Sequence, residues 1–263
     1  MTYCVAISTN DGLVFCSDSR TNAGPDMLST YSKMHIFNLD QTRTFILLAS
    51  GNLATTQAIV NRIQSDLESA TPANLLTCNK MVDAARYISE LSHNEITLAQ
   101  QATAKSGVDA TVSLLFGGQI VGGPPAIYLL YTAGNFISEP TETPFLQIGE
   151  SKYGKPILDR IIRRETSLED AARCAIVSMD STIASNATVG PPIEVLVYPK
   201  DTFEPGHYIK LDIDDPYLKE IKHSWNEALK QSFSALPAFH WEQRAAVHPR
   251  IDPVGQGGQQ GQH

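Results

Sequence analysis

A threonine at position 2, directly behind Met1, is the residue of this sequence best placed to do chemistry. Removal of Met1 would put a free α-amine and a hydroxyl on one residue. Such an amine has a pKa of about 7.7–8.0 and can take the hydroxyl proton near neutral pH, so nucleophile and base coincide. Two further residues could join it. Asp18 ends the second of two short apolar runs that flank Asn10-Asp11-Gly12, and Asp-Gly between such runs is a strong hairpin signal. Antiparallel pairing returns the end of the second strand to the start of the first, beside Thr2. Lys33, just before the next apolar run, could bring an ammonium that disfavours protonation of the amine, with Asp18 as its anchor. An ordinary turn aspartate and a surface lysine would satisfy the same spacing.

Other machineries are poorly supported. Gly149 to Lys155 fits the first seven positions of a phosphate loop, but the eighth, where a hydroxyl would hold Mg²⁺, is Pro156. A strand-to-helix turn with proline in the first helical turn suits it better. Gly117-Gly118 and Gly122-Gly123 fit turn chemistry. There is no HExxH and no GxSxG, and the seven histidines form no pair at ligand spacing. Cys4, Cys16, Cys78 and Cys174 are scattered without CxxC, which indicates neither a zinc site nor a disulfide framework, and Cys4 and Cys16 fit small packing roles. No metal and no cofactor is expected.

The elements that must position these groups follow from periodicity. Strands are expected at Thr2–Ser8, Gly12–Asp18, Met34–Asn38 and Thr44–Ala49, then helices at Asn52–Glu68 and Asn79–Gln101. Strands at Ala110–Phe116, Ala126–Thr132 and Pro144–Ile148 precede helices at Tyr153–Arg164 and Leu168–Ile183. Strands at Glu194–Tyr198 and Tyr208–Asp212 and a helix at Pro216–Ser234 complete the pattern. This is an α+β order with helices gathered in pairs, and it suits two stacked antiparallel sheets with a helical layer on each outer face, αββα. We expect one domain over residues 1–240 and a flexible Gly/Gln-rich tail over 241–263, too poor in apolar residues to offset its ordering entropy.

Of 263 residues 42% are hydrophobic and 18% charged, enough for a sizeable core. Twenty basic against twenty-eight acidic residues give a net charge of −8, which disfavours nucleic acid as a partner. The longest apolar runs, 126–131 and 45–49, fall far short of the roughly 20 residues of a membrane span. The amino terminus has no basic region and no cleavable apolar segment, so the cytoplasm is the expected location, and the Asn186-Ala187-Thr188 sequon carries no meaning there.

Several uncommon strings occur in one order: Thr2-Tyr-Cys-Val-Ala-Ile7, Gly12-Leu-Val-Phe-Cys-Ser-Asp18-Ser-Arg-Thr-Asn-Ala-Gly24, Ser32-Lys33-Met-His-Ile-Phe37 and Ala49-Ser-Gly51. Together they resemble the proteasome β-subunit pattern. The resemblance is strongest to its bacterial Anbu, or ancestral β-subunit, branch, through Ile148 to Arg160, Ser178-Met-Asp-Ser-Thr182 and Val189-Gly-Pro-Pro-Ile193. It runs from Thr2 to the last helix, and nothing beyond about residue 240 takes part.

The resemblance implies the αββα N-terminal nucleophile fold and hydrolysis of peptide bonds within a self-assembled multimer, a ring or an open spiral. It implies Thr2 as nucleophile, Asp18 and Lys33 as the charged pair, and Gly51 with Ser50 as donors to an oxyanion. The substrate, a peptide or unfolded polypeptide, would pair as an added strand with the backbones of Asn22 and Gly51. Proteasome subunits outside the Anbu branch carry their lysine one position later, where Met34 stands, and support the amine with a Ser-Asp-Ser set. The candidates for that set are Ser151, Asp180, Ser181 and Ser185, the last two sharing a helical face. Two alternatives stay open, a catalytically weak or inactive assembly and peptide-binding protein of this fold, and a small-molecule amidohydrolase. An unfoldase partner leaves no signature.

Overall fold

A computed structural model describes residues 2–22 and 28–239. The chain divides into two units, Met1–His223 and Ser224–His263. The first holds two five-stranded antiparallel sheets and a short ribbon. Its strands are β1 (Tyr3–Thr9), β2 (Gly12–Asp18), β3 (Arg20–Asn22), β4 (Leu28–Thr30), β5 (Met34–Leu39), β6 (Arg43–Gly51), β7 (Val112–Ile120), β8 (Ala126–Leu130), β9 (Phe136–Ser138), β10 (Phe145–Gly149), β11 (Ile193–Pro199) and β12 (His207–Leu211). Its helices are α1 (Leu53–Glu68), α2 (Met81–Thr103), α3 (Lys155–Ile161), α4 (Leu168–Ser185) and the first turns of α5 (Pro216–Ser234). The first sheet runs β10-β1-β2-β11-β12, the second β5-β6-β7-β8-β9, and β3 and β4 form the ribbon. In the second unit α5 ends at Ser234, with Leu229, Phe233 and Leu236 exposed. The expected tail lies outside the described residues.

Side-chain alternation explains the layers. On β1, Tyr3, Val5 and Ile7 face α3 and α4 in one apolar cluster, while Cys4 and Ala6 face the second sheet in another. Phe45, Leu47 and Ala49 of β6 face α1 and α2, and Ile46 and Leu48 face the first sheet. Every residue of β1 and β2 is therefore buried, because both faces of each strand are covered. Burial of each large apolar side chain contributes about 1.5–3 kcal/mol, so these strands form a rigid base for what stands at their ends. The fold is the four-layer αββα sandwich that the element order indicated.

Differences from the expected elements have physical causes. β7 continues through Gly117 and Gly118 instead of turning there. A Cβ on Gly117 would lie 2.8 Å from both the Phe15 ring and Ile127, so glycine is what lets the facing sheet approach inside the strand. Gly122-Gly123 does form the turn, with Gly123 N–H donating to Ile120 O. α3 begins at Lys155, with Gly154 before it and Pro156 in its first turn. The ribbon β3–β4 and strand β9 have only three residues each, too few to display a period. All four cysteines are free and buried. Among the described residues no helix is long and apolar enough to cross a membrane.

Candidate active site

The hairpin does return Asp18 to the start of β1: Cys4 pairs with Ser17, and the Tyr3 N–H donates to Asp18 Oδ1 at 3.1 Å. Asp18 is wholly buried. Lys33, from the turn before β5 in the facing sheet, donates its ammonium to Asp18 Oδ1 at 2.7 Å and to Arg20 O at 2.8 Å. The second carboxylate oxygen accepts from Gly190 N–H at 3.3 Å. Burial pushes the Asp18 carboxyl above the ordinary carboxylate value, while Lys33 and the two backbone donors pull it down. The pair is thus oriented and enclosed.

Thr2, Lys33, Ser50, Gly51 and Gly149 line one pocket of about 400 Å³, together with Arg20, Thr21, Ser32, Ala49, Leu53 and Thr56. The first sheet supplies Thr2 and Gly149 and the second supplies Ser50 and Gly51. Gly51 ends β6 at φ +128, where an added Cβ would meet Thr111 O at 2.2 Å. Asn52 follows and caps α1, its side chain accepting from Thr55 N–H. The positive end of α1 therefore borders the pocket, where it favours negative charge. The Cys4 thiol, beneath the site, is pushed well up by burial and by Asp18, and it points to Ala49 O at 3.9 Å. It stays protonated and packs as an apolar group.

Of the other sequence candidates, Asn22 ends β3, beside residues outside those described. Ser151 accepts from Lys155 N–H at the start of α3. Asp180 pairs with Lys222 Nζ at 3.4 Å, Ser181 is half-buried on α4, and Ser185 is its exposed last residue. Ser151, Asp180, Ser181 and Ser185 are not among the residues that line the pocket.

Four contributors escaped the sequence reading. Gly149, at φ +79, lies so close to Thr2 that an added Cβ would sit 1.9 Å from its carbonyl oxygen. The Glu150 N–H donates to that carbonyl at 2.7 Å, and its buried carboxylate accepts from Asn186 Nδ2 at 3.1 Å. The Arg20 carbonyl receives Lys33, and Gly190 N–H holds Asp18. Only Gly149 left a local trace, a glycine just where a strand pattern stops.

An αββα sandwich with a threonine, a buried Lys-Asp pair and a strand-end glycine around one pocket defines a class, the N-terminal nucleophile fold of proteasome subunits. The chain belongs to the proteasome subunit family, whose pattern matches residues 2–198. Within that family it is similar to Anbu structures. Anbu (ancestral β-subunit) from Yersinia bercovieri is 42% identical with a TM-score of 0.84, covering 90% of this chain and 98% of that one. The helical assembly of the Anbu complex from Pseudomonas aeruginosa gives 43% and 0.84 over 90% and 98%. A proteasome subunit beta from Haloquadratum walsbyi is more distant, 24% identical over 76% of this chain and 74% of its own length.

Proposed function

We propose that this chain is a subunit of a self-assembled threonine peptidase in which Thr2, freed of Met1, is both nucleophile and base. The observation that carries this reading is the Lys33–Asp18 pair, held at 2.7 Å, whose lysine lines the same pocket as Thr2. The Thr2 amine takes the proton from Oγ1 as that oxygen attacks the substrate carbonyl carbon. The Lys33 ammonium keeps the amine neutral by like-charge repulsion, and Asp18 keeps the ammonium in place. The developing oxyanion is met by the Gly51 N–H and the positive end of α1, a type of stabilisation that contributes about 3–4 kcal/mol per donor. Collapse breaks the C–N bond, the amine's proton leaves with the departing amino group, and an ester on Thr2 remains. Water, deprotonated by the same amine, then attacks the ester and restores Oγ1–H.

The substrate in this reading is an extended peptide laid beside β3 and Gly51, and the working state is a multimer of this chain, as the helical assembly of the Pseudomonas relative supports. The test is intact-mass analysis together with a threonine-reactive probe. Labelling and peptide hydrolysis should require loss of Met1, persist in part in Thr2→Ser and vanish in Thr2→Ala. Undiminished turnover with an uncleavable residue ahead of Thr2 would place the base elsewhere and refute the reading.

A further inference from the structure

A second carboxylate lies under the site, and none of the steps above uses it. Glu194 is 2% exposed and stands on the inter-sheet face of β11, in line with the core residues Leu196 and Tyr198. A charge in that layer is costly unless it is paired. Its Oε2 accepts from Ser32 Oγ at 2.9 Å and its Oε1 from Tyr208 OH at 2.6 Å. The Ser32 hydroxyl has one proton and two acceptors at 2.9 Å, Met34 O and Glu194 Oε2, of which the carboxylate is the stronger, while its lone pair receives Met34 N–H at 3.2 Å. Ser32 is thereby locked, and it both lines the pocket and precedes Lys33.

Lys33 is held on its other side as well, since its carbonyl accepts from Ala49 N–H at 3.0 Å on β6. On the first-sheet side the turn before β5 is held by Tyr31 N–H, which donates to Ser19 O at 3.0 Å just after β2, and by the Ser32 side chain, the residue next to Lys33. A lysine stem has four rotatable carbons, so delivery of its ammonium depends on where the backbone is fixed. Glu194 is the side chain of β11 that reaches across to the residue directly before Lys33.

We propose that Glu194 is a positioning residue for Lys33, acting through Ser32, with Tyr208 orienting its carboxylate. This rests on the threonine-peptidase reading above. In that reading Lys33 acts on the amine during the chemical step, so loss of its positioning should lower kcat and leave KM nearly unchanged.

The test compares the full-length protein with Glu194→Gln, Glu194→Ala, Ser32→Ala and the Glu194→Ala/Ser32→Ala double variant. One readout is kcat and KM on a peptide substrate. The other is competitive acetylation of Lys33 against the exposed lysines, read by mass spectrometry. We expect Glu194→Ala to lower kcat about 10- to 100-fold with KM within about threefold, a displacement effect. Glu194→Gln, which keeps one acceptor, should fall between it and the wild type. The double variant should be no slower than the slower single variant, because both act through one contact. Lys33, protected in the wild type, should acetylate faster in each variant.

Unchanged Lys33 protection in Glu194→Ala, additive kcat losses, or a rise in KM alone would overturn the proposal. Should Glu194→Ala fail to fold, Glu194→Gln and Ser32→Ala carry the same comparison. A wild type without Thr2-dependent turnover would refute the peptidase reading instead, and Lys33 acetylation would then decide the positioning role by itself.

Discussion

Gly149→Ala should nearly silence the proposed active site while leaving the fold standing. The new Cβ would lie 1.9 Å from the Thr2 carbonyl oxygen and 2.7 Å from its carbon, both backbone atoms that cannot rotate aside. Relief requires β10 and the start of β1 to part by on the order of 1 Å, and a misplacement of about 1 Å at a reacting group costs roughly 100-fold in rate. The alanine must also adopt φ +79, which costs about 1–2 kcal/mol whatever surrounds it. Gly107→Ala separates the two effects, because Gly107 has φ +68 with nothing within 4 Å of its added Cβ. Both variants should lose comparable stability in thermal melts from strain, with a further increment at Gly149 from the collision. Peptide turnover and threonine-probe labelling should fall only in Gly149→Ala. Wild-type turnover in a folded Gly149→Ala protein would show that the Thr2 position tolerates displacement, and would refute this account of the site.

Lys33→Ala should abolish turnover and lower the melting temperature, because it leaves Asp18 buried without its partner, and Lys33→Arg should also fail, since a planar guanidinium cannot occupy the place of an ammonium between Asp18 Oδ1 and Arg20 O; steady-state kinetics on the purified variants decides it. Asp18→Asn should be inactive and should alter the pH dependence of stability. With its pKa raised in the folded state, Asp18 binds a proton more readily folded than unfolded, so its contribution to stability rises as pH falls through the raised value towards 3.8. Urea titrations across that window should therefore show the wild type gaining on Asp18→Asn with acidification, and the opposite slope would contradict the burial of the carboxyl.

The sequence made the layers legible because hydrophobic period and turn chemistry are local properties. Asn10-Asp11-Gly12 announced the hairpin, and the hairpin alone put Asp18 at the start of β1. What stayed hidden depended on approach between distant segments. The Gly117 Cβ site is taken by Phe15, a residue about a hundred positions away, and nothing in a Gly-Gly pair tells such a contact from a turn. The same holds for Glu150 and Asn186, and for Ser32 and Glu194, whose side chains meet only after the sheets have packed. Ser151, Asp180, Ser181 and Ser185 are the candidates for the amine's support that the resemblance implies. Asp180 pairs with Lys222 on α5, and Glu150, whose carboxylate meets Asn186, donates its N–H to the Thr2 carbonyl.

The division of the pocket between the sheets sets how it can be tuned. Thr2, Asp18 and Gly149 belong to the first sheet's side, and Lys33, Ser50 and Gly51 to the second's, so in the proposed mechanism the distance from nucleophile to oxyanion donor is a distance between sheets. Apolar packing of Cys4, Ala6, Phe15, Ile46, Leu48 and Leu115 fixes that spacing over most of the interface, but such contacts are non-directional and permit sliding. Hydrogen bonds and ion pairs resist sliding, and Lys33 to Asp18 and Ser32 to Glu194 are two that cross from one sheet to the other beside the pocket. A charged group at each crossing makes both bonds stronger than neutral ones. Where the spacing of the two sheets must be right for the chemistry, this chain joins them by direction as well as by burial.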